Sequence, residues 1–271
     1  MALQWFESRS GLPVERRFAK SETLRFVLEK AELETGQRLD EIKRAPRFPL
    51  SVVAAMELAV ARDLDLPVGA RVVLWARLIK LYGSLRMDDL QRLRPDKVNL
   101  TEGGLTGKLL RTKTSGPGKR TRELHLFIPS GVGIADVEWL KRGYVMWREV
   151  IDVDADFFLP RMSANMSTFT GRLATASDLA GMLLASLLLV RVPVFLAGGE
   201  IEFKEERFIE DCLAGALTGH SERGTFQSLL AGLGVAKAER QYLGRWSASG
   251  ADEYVRTYKL MARRLLKNEG N

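Results

Sequence analysis

Cysteine is nearly missing from this chain: Cys212 alone among 271 residues. A disulfide framework within the chain is thereby excluded. Histidine is almost as scarce, with His125 and His220 only. One cysteine and two histidines so far apart cannot build an ordinary closed zinc site by themselves. A long apolar run is lacking as well, because the most apolar stretch, residues 179–198, is broken by Arg191 and Pro193. A membrane-spanning helix needs about 20 uninterrupted apolar residues. The N-terminal MALQWFESRSGL carries charges and no apolar core of a secretory signal. Phosphate-loop glycines are absent at the places that would need them. Before the Gly107-Lys108 pair stands Glu102 and after it Leu109, while Lys113 replaces the first glycine ahead of Gly118-Lys119. The expectation is an intracellular protein with no membrane contact, no metal and no cofactor.

What is present is ordinary globular composition with a basic excess. Hydrophobic residues make up 46% and charged residues 28%, and 41 Lys and Arg against 34 Asp and Glu leave a net charge of +7. That excess favours a polyanionic partner, nucleic acid first, although surface charge also serves solubility. The length suits one large domain with a small appendage.

Residues 1–45 read as a charged helical segment too thin in apolar side chains for its own core. Pro46 and Pro49 then mark a boundary. Ser51 is placed to cap the helix VVAAMELAVARDL, with Glu57 on an exposed or partner face. A second apolar helix, ARVVLWARLIKLYG, runs into Ser84-Leu85-Arg86-Met87-Asp88-Asp89-Leu90. From Lys97 the pattern changes to three short β-compatible runs, 98–101, 105–112 and 123–128, separated by Gly103-Gly104 and Ser115-Gly116-Pro117-Gly118. Such runs predict a small antiparallel sheet with turns. Helix is expected again over about 135–151, a connector over 152–169, an apolar helix near 175–190 and a strand around 192–196. Short helices follow to the C-terminus, the last from Ala251 to about Lys267. The fold class is therefore α+β, mainly helical, with a small antiparallel three-stranded β-sheet.

The chemistry concentrates between Gly219 and Tyr258. His220 and Arg223 stand three apart and can share one helical face, and Trp246, Tyr254 and Tyr258 follow. An arginine fork matches phosphate oxygens, imidazole moves protons near neutral pH, and a phenol can act as a nucleophile. Upstream, Arg86 opens a helical turn with Asp89 three residues on, which alone describes a capped helix start with a surface ion pair. Lys113 belongs to a basic hairpin with Lys119, Arg120 and Arg122, which alone describes solvated loop charges. Each residue taken singly fits such a plain role.

Taken in order, Arg86, Lys113, His220, Arg223, Trp246 and Tyr254 resemble the catalytic set of the tyrosine recombinases, the phage-integrase-like site-specific recombinases. The resemblance covers roughly residues 50–266. It rests on YGSLRMDDL, LLRTKTSGPGKRTREL, the box His220-Ser221-Glu222-Arg223, LGRWSASG and ADEYVRTY. Trp in place of His, the hairpin and the compact ending are similar to recombinases of eukaryotic mobile elements. The resemblance implies a catalytic domain over residues 50–271, preceded by residues 1–45 as a reduced or truncated DNA-clamp region. It implies double-stranded DNA as partner and self-association on it as a dimer or tetramer, with the protein located wherever that DNA is. By the same resemblance Tyr254 attacks a phosphodiester to give a 3′-phosphotyrosyl link. Arg86 and Arg223 hold the non-bridging oxygens, Lys113 protonates the leaving 5′-oxygen, His220 handles a proton or shares in phosphate binding, and Trp246 donates one more hydrogen bond. Asp89 holds Arg86 or the histidine in place without touching DNA. Lys119, Arg120 and Arg122, with Arg263 and Arg264 near the C-terminus, are candidate backbone contacts.

Three other readings remain open on the sequence: a recombinase fold that binds DNA without cutting, a type IB topoisomerase, and a helical interaction protein with no nucleic-acid role. The interval from Lys113 to His220 is long for the family, which points to an insertion around 152–200. Tyr254 lies eight positions after Trp246, near the usual family interval, and Tyr258 lies twelve after. Tyr254→Phe is therefore expected to abolish covalent protein–DNA adducts, while Tyr258→Phe keeps them. Adducts that persist in the first variant and vanish in the second would reverse the assignment.

Overall fold

The computed structural model describes residues 46–109, 124–219 and 221–236, with Glu239 and Leu243, and for Arg223 the backbone alone. All of them belong to the second of the two units into which the chain divides, Ala45–Asn271. Seven helices and three small antiparallel sheets make up this part. In chain order they are α1 (Leu50–Arg62), α2 (Val68–Tyr82), α3 (Met87–Gln91), a 3-10 turn (Pro95–Lys97), β1 (Asn99–Thr101), β2 (Gly104–Leu109), β3 (Leu124–Pro129) and α4 (Trp139–Val150). Then come β4 (Pro160–Met162), β5 (Phe169–Leu173), α5 (Ala176–Leu188), β6 (Arg191–Phe195), β7 (Ile201–Arg207), α6 (Asp211–Ala216) and α7 (Ser221–Gly232).

The middle of the fold is α2. Every residue from Gly69 to Tyr82 is buried, as expected of a helix that is apolar nearly all round. It packs against α1, α4, α5 and α7. Trp75 at its centre stacks on Phe158 at 5.6 Å and meets Trp147 at 5.5 Å. Among the described residues the three buried tryptophans all find carbonyls for their indole N–H groups: Trp75 donates to Leu140 at 3.1 Å, Trp139 to Val132 at 2.8 Å and Trp147 to Phe158 at 2.9 Å. Buried indoles need such partners, and here each one also ties a loop or helix turn to the core.

The mainly helical α+β class and the three-stranded sheet are as expected from the sequence. Strand order is β1-β2-β3, antiparallel throughout, with β2 and β3 paired from Gly104↔Pro129 to Leu109↔Leu124. Gly104 turns at φ +136°, and a side chain there would run into the Ile128 carbonyl. The helices of 50–62, 68–82, 139–150 and 176–188 fall where the periodicity put them. Thr175 and Asp178 close the start of α5 with a reciprocal pair of hydrogen bonds at 2.9 and 3.1 Å.

Three expectations need correction. Ser51 does not cap α1: the helix already begins at Leu50 behind Pro49, with no side-chain cap, and Ser51 is exposed. The connector over 152–169 is partly strand, since β4 pairs with β5 after Met166 turns at φ 57°. Glu57 is neither exposed nor waiting for a partner chain; it is fully buried. Its carboxylate accepts from the Tyr82 hydroxyl and from the successive backbone N–H groups of Ile134 and Ala135, both at 2.8 Å, and Asp136 at 3.3 Å. Three adjacent N–H groups with no strand to pair with need an acceptor of this kind. Burial holds the Glu57 carboxyl above its ordinary range, while those four hydrogen bonds pull it back down.

The β6–β7 hairpin is fixed at its base. Arg191 donates to the buried Asp63 at the end of α1, through Nε at 3.0 Å, and to Asp65, also at 3.0 Å. No helix among the described residues is long and apolar enough to cross a membrane.

Helix α4 crosses α2 at Gly143, where an added Cβ would fall inside the ring of Trp75. Overpacking of this kind costs about 1–3 kcal/mol. Gly143→Ala is expected to shift the urea midpoint downward by that amount with an unchanged slope, and an unaltered midpoint would show that Trp75 can move aside.

Candidate functional site

Arg86 is presented by the way α2 stops. The chain leaves the helix in a Schellman motif: Leu85 N–H donates back to the Lys80 carbonyl at 2.9 Å and Ser84 N–H to the Leu81 carbonyl at 3.1 Å. The residue in the left-handed region is Ser84, at φ 49°, rather than the glycine common there. Gly83 precedes it because a side chain would meet the Ile79 carbonyl and Leu126. Leu85 is driven into the core, and Arg86 follows, half-buried, as the residue that opens α3.

Asp89 accepts the backbone N–H of Arg86 at 3.1 Å. Arginine has no acceptor to offer in return, so only this half of a capping box forms. Asp89 is itself buried, so the surface ion pair that the spacing allows does not occur. The carboxylate fixes Arg86 through its main chain. Behind it, the Gln91 side chain donates to the carbonyls of Leu159 (3.0 Å) and Ala174 (3.3 Å) and accepts from Leu159 N–H (2.8 Å). The short helix is thus stitched to the β4–β5 hairpin. Arg86, Arg92, Asp88 and Asp156 edge an open cleft of about 750 Å³ floored by Leu173, Leu179 and Leu183, and Gly219 reaches the same cleft.

Gly219 is the residue before His220, and both Gly219 and Glu222 are held from α2. Glu222, the third residue of the box, is fully buried between α2 and α7. It forms ion pairs with both Arg77 and Lys80 of α2. Lys80 also donates to the Gly219 carbonyl. Arg77 lies with its guanidinium 5.5 Å from the ring centre of Phe48. Burial pushes Arg77 down to about 10, against the upward pull of Glu222. One turn along α7 from Arg223, Gln227 donates to the Ser84 hydroxyl at 3.1 Å. Phe226 and Leu230 continue the inward row begun by Glu222.

The structure therefore brings together the backbone carriers of three expected residues: Arg86, Asp89 and Arg223. Lys113, Lys119, Arg120, Arg122, His220, Trp246 and Tyr254 lie outside the described residues, as do Tyr258, Arg263 and Arg264. Sequence reasoning missed Arg77, Lys80, Glu222, Ser84 and Gln227. A signal existed: Arg77 and Lys80 stand three apart on an otherwise apolar helix, and an acidic residue occupies the middle of the HxxR box. Among the described residues, no group of three His, Cys, Asp or Glu side chains is placed to hold a metal ion.

Removing one partner from a buried ion cluster leaves an uncompensated charge and costs about 3–5 kcal/mol. Glu222→Ala, which removes the carboxylate that both buried cations share, is expected to lower unfolding stability by that much in a urea melt. Arg62→Ala, which breaks the solvent-edge Arg62–Asp136 pair whose arginine is exposed, is expected to cost less, about 1 kcal/mol. Equal losses in the two variants would contradict the assignment of Glu222 to the core.

No protein-family model matches the chain, and no curated protein matches it. Among solved structures it is similar to an FLP recombinase–Holliday junction complex, at 12% identity and a TM-score of 0.45, covering 89% of this chain and 56% of that one. It is similar to the XerH site-specific recombinase bound to difH substrate in a pre-cleavage complex, at 14% identity and 0.45, covering 85% of this chain and 54% of that one. A third similar structure is the Tn1549 transposon integrase in complex with transposon right-end DNA, at 15% identity and 0.47, covering 100% of this chain and 84% of that one. The chain thus spans little more than half the length of the first two proteins.

Proposed function

We propose that this protein cuts and rejoins double-stranded DNA as a site-specific recombinase, through a 3′-phosphotyrosyl intermediate. The observation that carries the reading is the hydrogen bond from Gln227 to Ser84. It joins the helix bearing Arg223 to the turn bearing Arg86, two arginines 137 positions apart in the chain. A plain core or surface role for each arginine gives no reason for their carriers to be bolted to each other beside an open cleft.

In this reading two guanidiniums flank one phosphate and neutralise the charge that develops as phosphorus becomes five-coordinate. The Tyr254 phenol attacks phosphorus, the P–O bond to the 5′-oxygen breaks, and the covalent link conserves the bond energy for religation. The phenol proton passes to His220, and Lys113 supplies the proton that the departing 5′-oxygen takes up. Trp246 donates from its indole N–H to a phosphate oxygen. Asp89 keeps Arg86 aimed by holding its main-chain N–H. Lys119, Arg120 and Arg122 contact the DNA backbone, and the net charge of +7 favours the duplex as partner. Residues 1–45 belong to a DNA-clamp region ahead of the catalytic domain at 50–271, and copies of the chain assemble on DNA. Trp246 in the position often held by histidine allies the chain with recombinases of eukaryotic mobile elements.

The test is a nicked duplex that loses its 5′ end on cleavage and so traps the adduct. Wild-type protein is expected to become covalently attached to DNA. Arg86→Ala should slow attachment by about 10²–10³-fold, the usual cost of removing one preorganised donor to a developing negative charge. Wild-type protein that binds the duplex and never forms an adduct would replace this reading with that of a silent DNA-binding protein.

A further inference from the structure

Lys80 is a fully buried lysine on the helix that forms the centre of the core. A buried ammonium is costly unless it is paired and hydrogen-bonded. Here it is both: it pairs with Glu222 and donates to the carbonyl of Gly219. The two partners stand on either side of His220 in the sequence, so one ammonium holds the main chain just before the box and a carboxylate within it. The carbonyl of the same Lys80 accepts from Leu85 N–H at 2.9 Å, closing the turn that delivers Arg86. A single residue of α2 therefore touches both arginine-bearing segments, through its ammonium on one side and its carbonyl on the other.

We infer that Lys80 is a positioning residue, which sets from inside the core where Gly219 and the start of α7 lie against the Arg86 turn. The inference rests on the recombinase reading for what is being positioned, and adds a residue that the motifs do not contain. The chemical reason for lysine is reach. Its four-carbon stem crosses the packed layer between α2 and α7, and its three donors can serve a carboxylate and a carbonyl together. Arg77, one turn earlier, balances Glu222 from the other side. Because of that second cation, Lys80 can be removed without leaving the carboxylate unpaired. Lys80→Met keeps the apolar stem and leaves a one-to-one Arg77–Glu222 pair, while the ammonium that grips Gly219 and shares Glu222 is lost.

The experiment compares full-length wild type, Lys80→Met and a control, Asp63→Asn, which breaks the buried pair with Arg191 and touches neither segment. Amide exchange read by mass spectrometry is expected to quicken in Lys80→Met over residues 218–224 and to stay at wild-type level over α4. Single-turnover attachment to the nicked duplex, at saturating DNA, is expected to slow by about 100-fold, the loss that misplacement by roughly 1 Å can bring. The final yield of adduct should stay at the wild-type level. Asp63→Asn, as a purely structural lesion, should lower the yield in step with the unfolded fraction and leave the rate constant alone. Unchanged exchange at 218–224 in Lys80→Met would overturn the inference, and so would a lowered yield with an unchanged rate. Failure of the wild type itself to form any adduct would overturn the recombinase reading instead, with the exchange data still deciding whether Lys80 anchors the backbone around Gly219.

Discussion

Two cations and one carboxylate are buried together where α7 meets α2, and the geometry of the candidate site depends on that contact. Glu222 is drawn inward by Arg77 and Lys80, which sets the rotation of α7 about its own axis. Rotation matters because neighbouring residues on a helix point about 100° apart, so the register of Glu222 dictates where the residues on either side of it go. An apolar residue in its place would bury as well but would slide, since hydrophobic contact has no direction. Ion pairs to two donors of different reach leave far less freedom. Buried charges of this kind add little net stability compared with a hydrophobic replacement, and their best-attested use is to select one arrangement among several.

The remainder of the core supports that contact by packing α2 on several sides. Trp75, Trp139 and Trp147 each fill space and tether a carbonyl. Glu57 gathers the loop at 134–136 and the Tyr82 hydroxyl into one polar knot beneath α1. Tyr82 in turn stacks on Trp139 and meets Phe226 of α7 edge-on at 5.6 Å. The helix that carries Lys80 is thus braced at its end by the same aromatic layer that receives α7.

Much of this fold is legible in the sequence because its elements have strong periods. The apolar helices of 50–62 and 68–82, the amphipathic one at 139–150 and the short β-runs after Lys97 announce themselves through spacing and turn residues. Less legible were features set by what a residue meets in space. Glu57 looks like a surface carboxylate until the loop at 134–136 folds over it. Pro160–Met162 looks like connector because a three-residue strand has too few side chains to show a period. Within the site, the order of Arg86 and the HxxR box gave the resemblance. The cluster that locks them was hidden in a helix whose few charges looked incidental. Ser84 shows the same limit, since its left-handed backbone is dictated by the Schellman turn and its value lies in a hydroxyl that Gln227 can reach.

Two small hairpins, at 160–173 and 191–207, lie between β3 and the HxxR box. The second of these leans on α1 through Arg191 and leaves Phe195 at its turn two-thirds exposed. Pairing between β6 and β7 is internal, and their turn at Ala197–Gly199 meets nothing that an added Cβ at either glycine would strike. Length added or removed there is absorbed by the ribbon itself. Such a ribbon lets a chain vary its outline, lengthening or shedding an arm, while the spacing of the charges deep inside stays as it was.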